Sequence, residues 1–139
     1  ASGLFITGKG NNPEDAAEME DWQTAAAMLS FEHLYTTLTA TYVTGYGNQS
    51  GSFDDDKEYE GYSIFAEGKL GNHWRVISRY DVFNPDTGID DDGYNLTVIG
   101  AGYDFGNRNV LILDYELKSY EAQGLGDENR VQVTLQINY

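Results

Sequence analysis

The chain has 139 residues, of which 22% are charged, and its formal net charge of −15 makes it strongly acidic. Nucleic acid is therefore excluded as a partner, because neutralising phosphates requires a basic surface. The sequence contains no cysteine, which excludes disulfides and cysteine-based metal sites. Its length fits a single folding unit over residues 1–139, or part of one.

The composition favours strands and turns over helices, with 16 glycines, 11 tyrosines and only 2 prolines. No apolar run approaches the ~20 residues that a transmembrane helix needs. Any crossing of a membrane would therefore be made by strands. No signal peptide is recognisable in the sequence, and we expect a mature or truncated chain.

Alternating apolar and polar residues predict eight strands, most of them about 9–11 residues long, the length that crosses an outer membrane obliquely. In chain order the strands cover residues 2–8, 24–32, 35–46, 59–70, 74–83, 94–105, 110–120 and 129–139. Long polar loops follow the first, third, fifth and seventh strands, whereas tight turns follow the second, fourth and sixth. This arrangement is typical of an antiparallel up-and-down transmembrane β-barrel.

The first tight turn, at residues 33–34, is predicted to pair Phe31 with Thr36 and Leu29 with Leu38. This register places the apolar residues of both strands on one side of the sheet. The apolar residues of the later strands lie on this same side only if each turn sets the register that places them there.

The second tight turn is predicted to contain three residues and to pair Leu70 with Trp74. Glu67 then lies diagonally between Arg75 and Arg79 on the polar side of the sheet. Opposite charges in these positions help to hold the register.

The sixth strand has apolar residues on both sides, so the alternation alone does not show which of them lies on the apolar side of the sheet. Leu96 and Val98 favour one side as the apolar one. We expect the opposite side, which carries Ile99, Ala101, Tyr103 and Phe105. A tight turn at residues 106–108 then leads into a strand whose Leu111, Leu113, Tyr115 and Leu117 oppose Asp114, Glu116 and Lys118.

The last strand alternates without an exception. Its apolar side carries Val131, Val133, Leu135, Ile137 and Tyr139, and its polar side carries Arg130, Gln132, Thr134, Gln136 and Asn138. A half-buried strand of a soluble sandwich shows the same alternation. An aromatic residue in the last position favours a strand that ends at a membrane interface.

Aromatic residues cluster towards both ends of the predicted strands, as in the girdles of outer-membrane barrels. The predicted girdle comprises Tyr46, Tyr62, Trp74, Tyr80, Tyr94, Tyr103 and Tyr139. The polar side of the strands carries charges of both signs, including Glu32 and Asp104. The residues predicted to line a pore are Glu67, Lys69, Arg75, Arg79, Asp81, Asp114, Glu116, Lys118, Arg130 and Gln132.

The four long loops are rich in Asp and Glu. Asp86, Asp90 and Asp92 are weak candidates for binding Ca²⁺ or Mg²⁺. Their spacing does not fit the helix-loop-helix calcium motif, and a solvated acidic loop is the simpler interpretation. We predict neither a resident cofactor nor a catalytic residue, because His33 and His73 lack partners placed for a triad or a metal site.

Four segments of the sequence carry a resemblance to a known family. They are Trp-Arg-Val-Ile-Ser-Arg-Tyr-Asp-Val-Phe-Asn-Pro at 74–85, Gly-Ala-Gly-Tyr at 100–103, Leu-Asp-Tyr-Glu at 113–116 and Val-Thr-Leu-Gln-Ile-Asn-Tyr at 133–139. In these segments the chain resembles the C-terminal part of the phosphate-selective porin O/P family. The resemblance implies a trimeric barrel of about sixteen strands, of which this chain would supply the C-terminal half. The anion preference of that family is not expected here, because acidic loops repel phosphate.

The expected function is that of a porin in the outer membrane of a Gram-negative bacterium, a water-filled channel for ions and other small polar or charged solutes. The lipid bilayer, lipopolysaccharide, the solutes and two further copies in a homotrimer are the expected partners. One alternative is a closed eight-stranded barrel with a structural or adhesive role through its acidic loops. A soluble ligand-binding barrel with apolar residues inside is the other.

Overall fold

The computed structural model describes residues 2–8, 22–47, 57–71, 73–106, 109–122 and 124–137. These residues form eight strands: β1 Ser2–Gly8, β2 Trp22–His33, β3 Thr36–Tyr46, β4 Glu58–Lys69, β5 Trp74–Asn84, β6 Tyr94–Gly106, β7 Asn109–Tyr120 and β8 Glu128–Gln136. Within the described ranges, no helix has the length and apolar character needed to cross a membrane.

Each strand pairs antiparallel with the next strand in the chain, in the order β1 to β8. The predicted all-β, antiparallel up-and-down architecture of eight strands is therefore confirmed. Among the described residues β1 and β8 do not pair with each other, so the sheet is open and has two free edges. Only sequential strands contact one another, which means that this part of the chain forms a single layer.

The register between β2 and β3 differs from the prediction by two residues. Phe31 lies opposite Leu38 rather than Thr36, and His33 pairs with Thr36 across a turn at residues 34–35. This register brings the Phe31 ring to an apolar partner, which a cross-strand pair with Thr36 would not provide. An even shift leaves every side chain on its predicted side of the sheet.

The predicted register between β4 and β5 is confirmed. Lys69 lies opposite Arg75, and the Leu70 amide donates to the Trp74 carbonyl at 2.9 Å. Gly71 and His73 both have left-handed backbone conformations, with φ of 73° and 70°. Glycine adopts this conformation without steric cost, which explains its place in a tight connection between two long strands.

The predicted orientation of β6 is also confirmed. Ile99 lies opposite Tyr115 of β7, whereas Val98 lies opposite Glu116 on the other side of the sheet. The next connection is shorter than predicted, because Gly106 already pairs with Asn109 and the register shifts between Asp104 and Gly106. The rest of that predicted turn, residues 107–108, lies outside the described residues.

The two faces of the sheet differ in composition and in exposure. We call one the apolar face; its residues include Leu29, Phe31, Leu38, Tyr42, Tyr62, Ile64, Trp74, Val76, Tyr80, Ile99, Leu113, Tyr115, Val131, Val133 and Leu135, all of them exposed. Leu113 and Val133, for example, are 54% and 66% exposed. Among the described hydrophobic residues only Val110 is buried, at 7% exposed. The described part of the chain therefore lacks the two-layer core of a soluble domain.

Candidate functional site

The face opposite the apolar one, which we call the polar face, carries the candidate functional site. The registers place all ten predicted pore-lining residues on this face. One row across the sheet runs through Glu67, Ile77, Gly100, Asp114 and Gln132. Side chains on the polar face of β4 and β7 are mostly half-buried, because they pack and pair with one another.

Arg75 joins two carboxylates across three strands. Its Nη1 donates to Glu67 Oε1 at 2.9 Å, and its Nη2 donates to Asp104 Oδ2 at 3.0 Å. Gly102, directly opposite on β6, makes room for the side chain, since a Cβ there would lie 2.8 Å from Arg75 Cγ. The predicted pairing of Glu67 with Arg75 is confirmed, and Asp104 joins this group although it is absent from the predicted pore-lining set.

Arg79 pairs along its own strand instead of with Glu67. Its Nε donates to Asp81 Oδ1 at 2.8 Å, and its Nη2 lies 2.7 Å from Asp81 Oδ2. The predicted position of Glu67, diagonally between Arg75 and Arg79, is confirmed, because Glu67 lies opposite Ile77. Of the two arginines, however, the one that pairs with Glu67 is Arg75. Asp81 is only 8% exposed, and the two-pronged guanidinium contact satisfies both oxygens of this buried carboxylate.

The polar face of β7 and β8 holds two further cations. Arg130 Nη2 donates to Glu116 Oε2 at 2.8 Å across the strand pair. Lys118 Nζ lies 4.0 Å from the centre of the Tyr94 ring and 4.6 Å from that of the Tyr120 ring. Both distances fit cation–π contacts, which direct the ammonium group onto the ring faces.

Four rings form a continuous row on the polar face at the end of the strands where the long loops begin. We call Tyr59, Phe83, Tyr94 and Tyr120 the aromatic row; successive ring centres are 6.2, 5.6 and 6.3 Å apart. The Tyr120 hydroxyl donates to Glu128 of β8 at 3.0 Å. At the other end, the Tyr59 hydroxyl is hydrogen-bonded to the Thr24 hydroxyl on β2. The row thus links β2 to β8.

The aromatic row corrects one residue of the predicted girdle. Tyr94 lies opposite Phe83 and Tyr120 on the polar face, so its ring cannot contribute to a belt on the apolar face. Its position in β6 follows from the same alternation that places Leu96 on the polar face. The alternation in the sequence therefore predicts the side on which Tyr94 lies, whereas its position near the end of a strand does not.

The other predicted girdle residues within the described ranges lie on the apolar face: Tyr46, Tyr62, Trp74, Tyr80 and Tyr103. Trp74 and Tyr103 pack edge to face with ring centres 5.0 Å apart, and Phe105 continues this group at 5.1 Å from Tyr103. Tyr139 lies outside the described residues.

The weak metal candidates do not form a common site within the described residues. Asp86 Oδ2 lies 3.8 Å from Lys57 Nζ, and Asp86 Oδ1 accepts a hydrogen bond from the Gly88 amide. Across the described ranges, no group of three or more His, Asp or Glu side chains is close enough to hold a metal ion. Calcium or magnesium binding by Asp86, Asp90 and Asp92 stays an untested prediction.

Removing Arg75 should cost more stability than removing Arg130. Arg75→Met leaves two half-buried carboxylates without a charged donor, and we expect the free energy of unfolding to fall by about 2 kcal/mol. Arg130→Met is the matched control, because the Arg130 side chain is 62% exposed whereas that of Arg75 is 25% exposed. Exposed pairs contribute less than about 1 kcal/mol. Urea unfolding followed by tryptophan fluorescence measures both, and equal losses would contradict the expectation.

Comparison of this chain with protein-family models, curated proteins and solved structures found no match. The resemblance to phosphate-selective porins therefore stays a prediction from the sequence segments alone.

Proposed function

We propose that this chain forms part of the wall of an outer-membrane barrel in a Gram-negative bacterium, and that the barrel is a porin for small polar or charged solutes. The observation that carries the proposal is the contrast between the two faces of one sheet. The apolar face is exposed along seven strands, while the opposite face bears the ion pairs. Lipid on one side and water on the other suit such a sheet.

Lipid is the favoured occupant of the apolar face for a physical reason. An apolar surface of this extent is unfavourable in water, where monomeric proteins rarely expose contiguous apolar patches above a few hundred Å². The aromatic residues Trp74 and Tyr103 near the tight turns, and Tyr46 and Tyr62 towards the long loops, lie at both ends of this face. Rings with polar atoms in these positions match the two interfaces of a bilayer.

In lipid the free edges of β1 and β8 must find partners, because unpaired backbone groups are costly there. If the two edges paired with each other, eight strands would enclose a lumen that side chains fill. Pairing with further strands would give a wider, water-filled lumen, and this is the architecture that we propose. Its support is the number of charged groups on the polar face, which are best solvated by water.

The proposed partners follow from the location of the barrel in an outer membrane. The apolar face contacts the bilayer, and the long acidic loops approach lipopolysaccharide on the outside, with divalent cations between the two sets of negative charges. Solutes pass along the polar face. A homotrimer is included in the proposal on the sequence resemblance alone.

Planar-bilayer recording on the full-length protein tests the proposal. We expect stepwise increases in current when the protein is added, with the same step size in successive insertions. A sample of the same detergent without protein is the control. A protein that inserts into lipid but gives no steps would contradict the porin function and favour the closed eight-stranded barrel with a structural or adhesive role.

A further inference from the structure

The charges of the polar face indicate which solutes the channel favours. Resting on the proposed function, we infer that the channel is selective for cations and that Asp114 and Glu32 are the carboxylates that chiefly determine this selectivity. Two observations on the described strands carry the inference: the polar face engages most of its positive charges, and among the described residues Asp114 and Glu32 have no cationic partner.

Acidic side chains outnumber basic ones on the polar face of the described strands. The basic side chains are Lys69, Arg75, Arg79, Lys118 and Arg130. The acidic side chains are Glu32, Glu67, Asp81, Asp104, Asp114, Glu116 and Glu128. The face as a whole is therefore negative, in the same sense as the net charge of −15 for the chain.

Four of the five basic groups are already engaged. Arg75 contacts two carboxylates, and Arg79 and Arg130 contact one each. The Lys118 ammonium lies against the rings of the aromatic row. A solute anion would have to compete with these internal partners, so the arginines offer it little net attraction.

Asp114 and Glu32 differ from the paired carboxylates. Within the described ranges neither of them has an ion pair. Glu128 has none either, but its carboxylate accepts a hydrogen bond from the Tyr120 hydroxyl. Asp114 lies opposite Gly100 in the row that also contains Glu67, and Gly100 has no side chain to cover it. Rings of carboxylates attract cations in channels, and low-dielectric walls strengthen the effect. A cation passing this row therefore meets negative charge with which none of the described arginines pairs.

Reversal potentials in a potassium chloride gradient test the inference on the full-length protein in planar bilayers. We expect the reversal potential to have the sign of a channel that is more permeable to potassium than to chloride. Asp114→Asn should lower the permeability ratio about twofold, since one charge changes the local potential by a sizeable part of the thermal energy. Glu116→Gln should lower the ratio as well, because it removes the carboxylate that pairs with Arg130.

Two variants serve as controls. Glu60→Gln changes the net charge by the same amount as Asp114→Asn but lies on the apolar face, where Glu60 accepts a hydrogen bond from Tyr42. We expect it to leave the ratio unchanged. Asp114→Glu keeps the charge and should keep the ratio, even where Asp114→Asn assembles poorly.

The outcomes separate the inference from the proposed function. Current steps with a reversal potential at zero or on the chloride side would leave the porin function intact and overturn the cation selectivity. An unchanged ratio in Asp114→Asn, or an equal change in Glu60→Gln, would overturn the role of Asp114. No current steps in any salt would overturn the porin function and the inference together.

Discussion

Val131→Arg is expected to lower the free energy of unfolding from lipid by about 2–4 kcal/mol, because in the proposed membrane setting the arginine would lie on the lipid-facing side of β8 near the middle of the bilayer. Val131 is 68% exposed in the open sheet, and it lies opposite Tyr115 on the apolar face. In water the same substitution at an exposed position would change the stability by less than about 0.5 kcal/mol. The effect therefore measures what covers the apolar face.

The matched control is the next residue in the chain. Gln132 is also exposed, but it lies on the polar face opposite Asp114, where an arginine finds a negative partner. We expect Gln132→Arg to change the stability by less than about 0.5 kcal/mol. Urea titration of protein refolded into lipid vesicles, followed by tryptophan fluorescence, gives both values. Equal losses of stability, or a larger loss in Gln132→Arg, would contradict the proposed orientation, in which the apolar face contacts lipid. They would favour a soluble barrel with an apolar interior.

The side of the sheet on which each residue lies was predictable because the alternation has a period of two. The last strand illustrates this, since each apolar residue from Val131 to Ile137 recurs at every second position. In β6 the alternation alone did not decide between Ile99 and Val98, because apolar residues lie on both sides of this strand. Val98 lies on the polar face although its neighbours there are Arg79 and Glu116.

The exact register of a strand pair was less predictable. Moving β3 by two residues relative to β2 keeps Phe31 and Leu38 on the same side, so the alternation cannot distinguish the two registers. Only the turn can do so, and residues 33–36 contain no glycine, asparagine or aspartate to fix its position. The connection after β4 was predictable, because Gly71 marks a left-handed position there.

Partners of charged side chains depend on details that a sequence does not contain. Arg79 could reach Glu67 diagonally or Asp81 along its own strand, and both contacts use the polar face. The structure selects Asp81, whose carboxylate is buried and needs two donors. Similarly, the aromatic row forms because four rings occupy one side of four strands, a property that their positions near the strand ends do not predict.

The glycine beneath Tyr59 provides the second test with a large expected effect. Gly45 lies opposite Tyr59, whose ring crosses β3 to reach Thr24 on β2. A Cβ at position 45 would overlap both the Tyr59 hydroxyl and the backbone oxygen of Gln23. Gly45→Ala is therefore expected to lower the free energy of unfolding by about 1–3 kcal/mol through overpacking.

A double-mutant cycle with Tyr59→Ala separates the ring from the backbone contact. Without the ring, Gly45→Ala should cost about 1 kcal/mol less than it does in the native sequence, because only the clash with Gln23 is left. Gly126→Ala is the control for adding a methyl group, since nothing lies within 4 Å of a Cβ there. Denaturant unfolding of the four members of the cycle gives the coupling. A coupling of zero would mean that Tyr59 does not lie over Gly45, and the link from the aromatic row to β2 would then be absent.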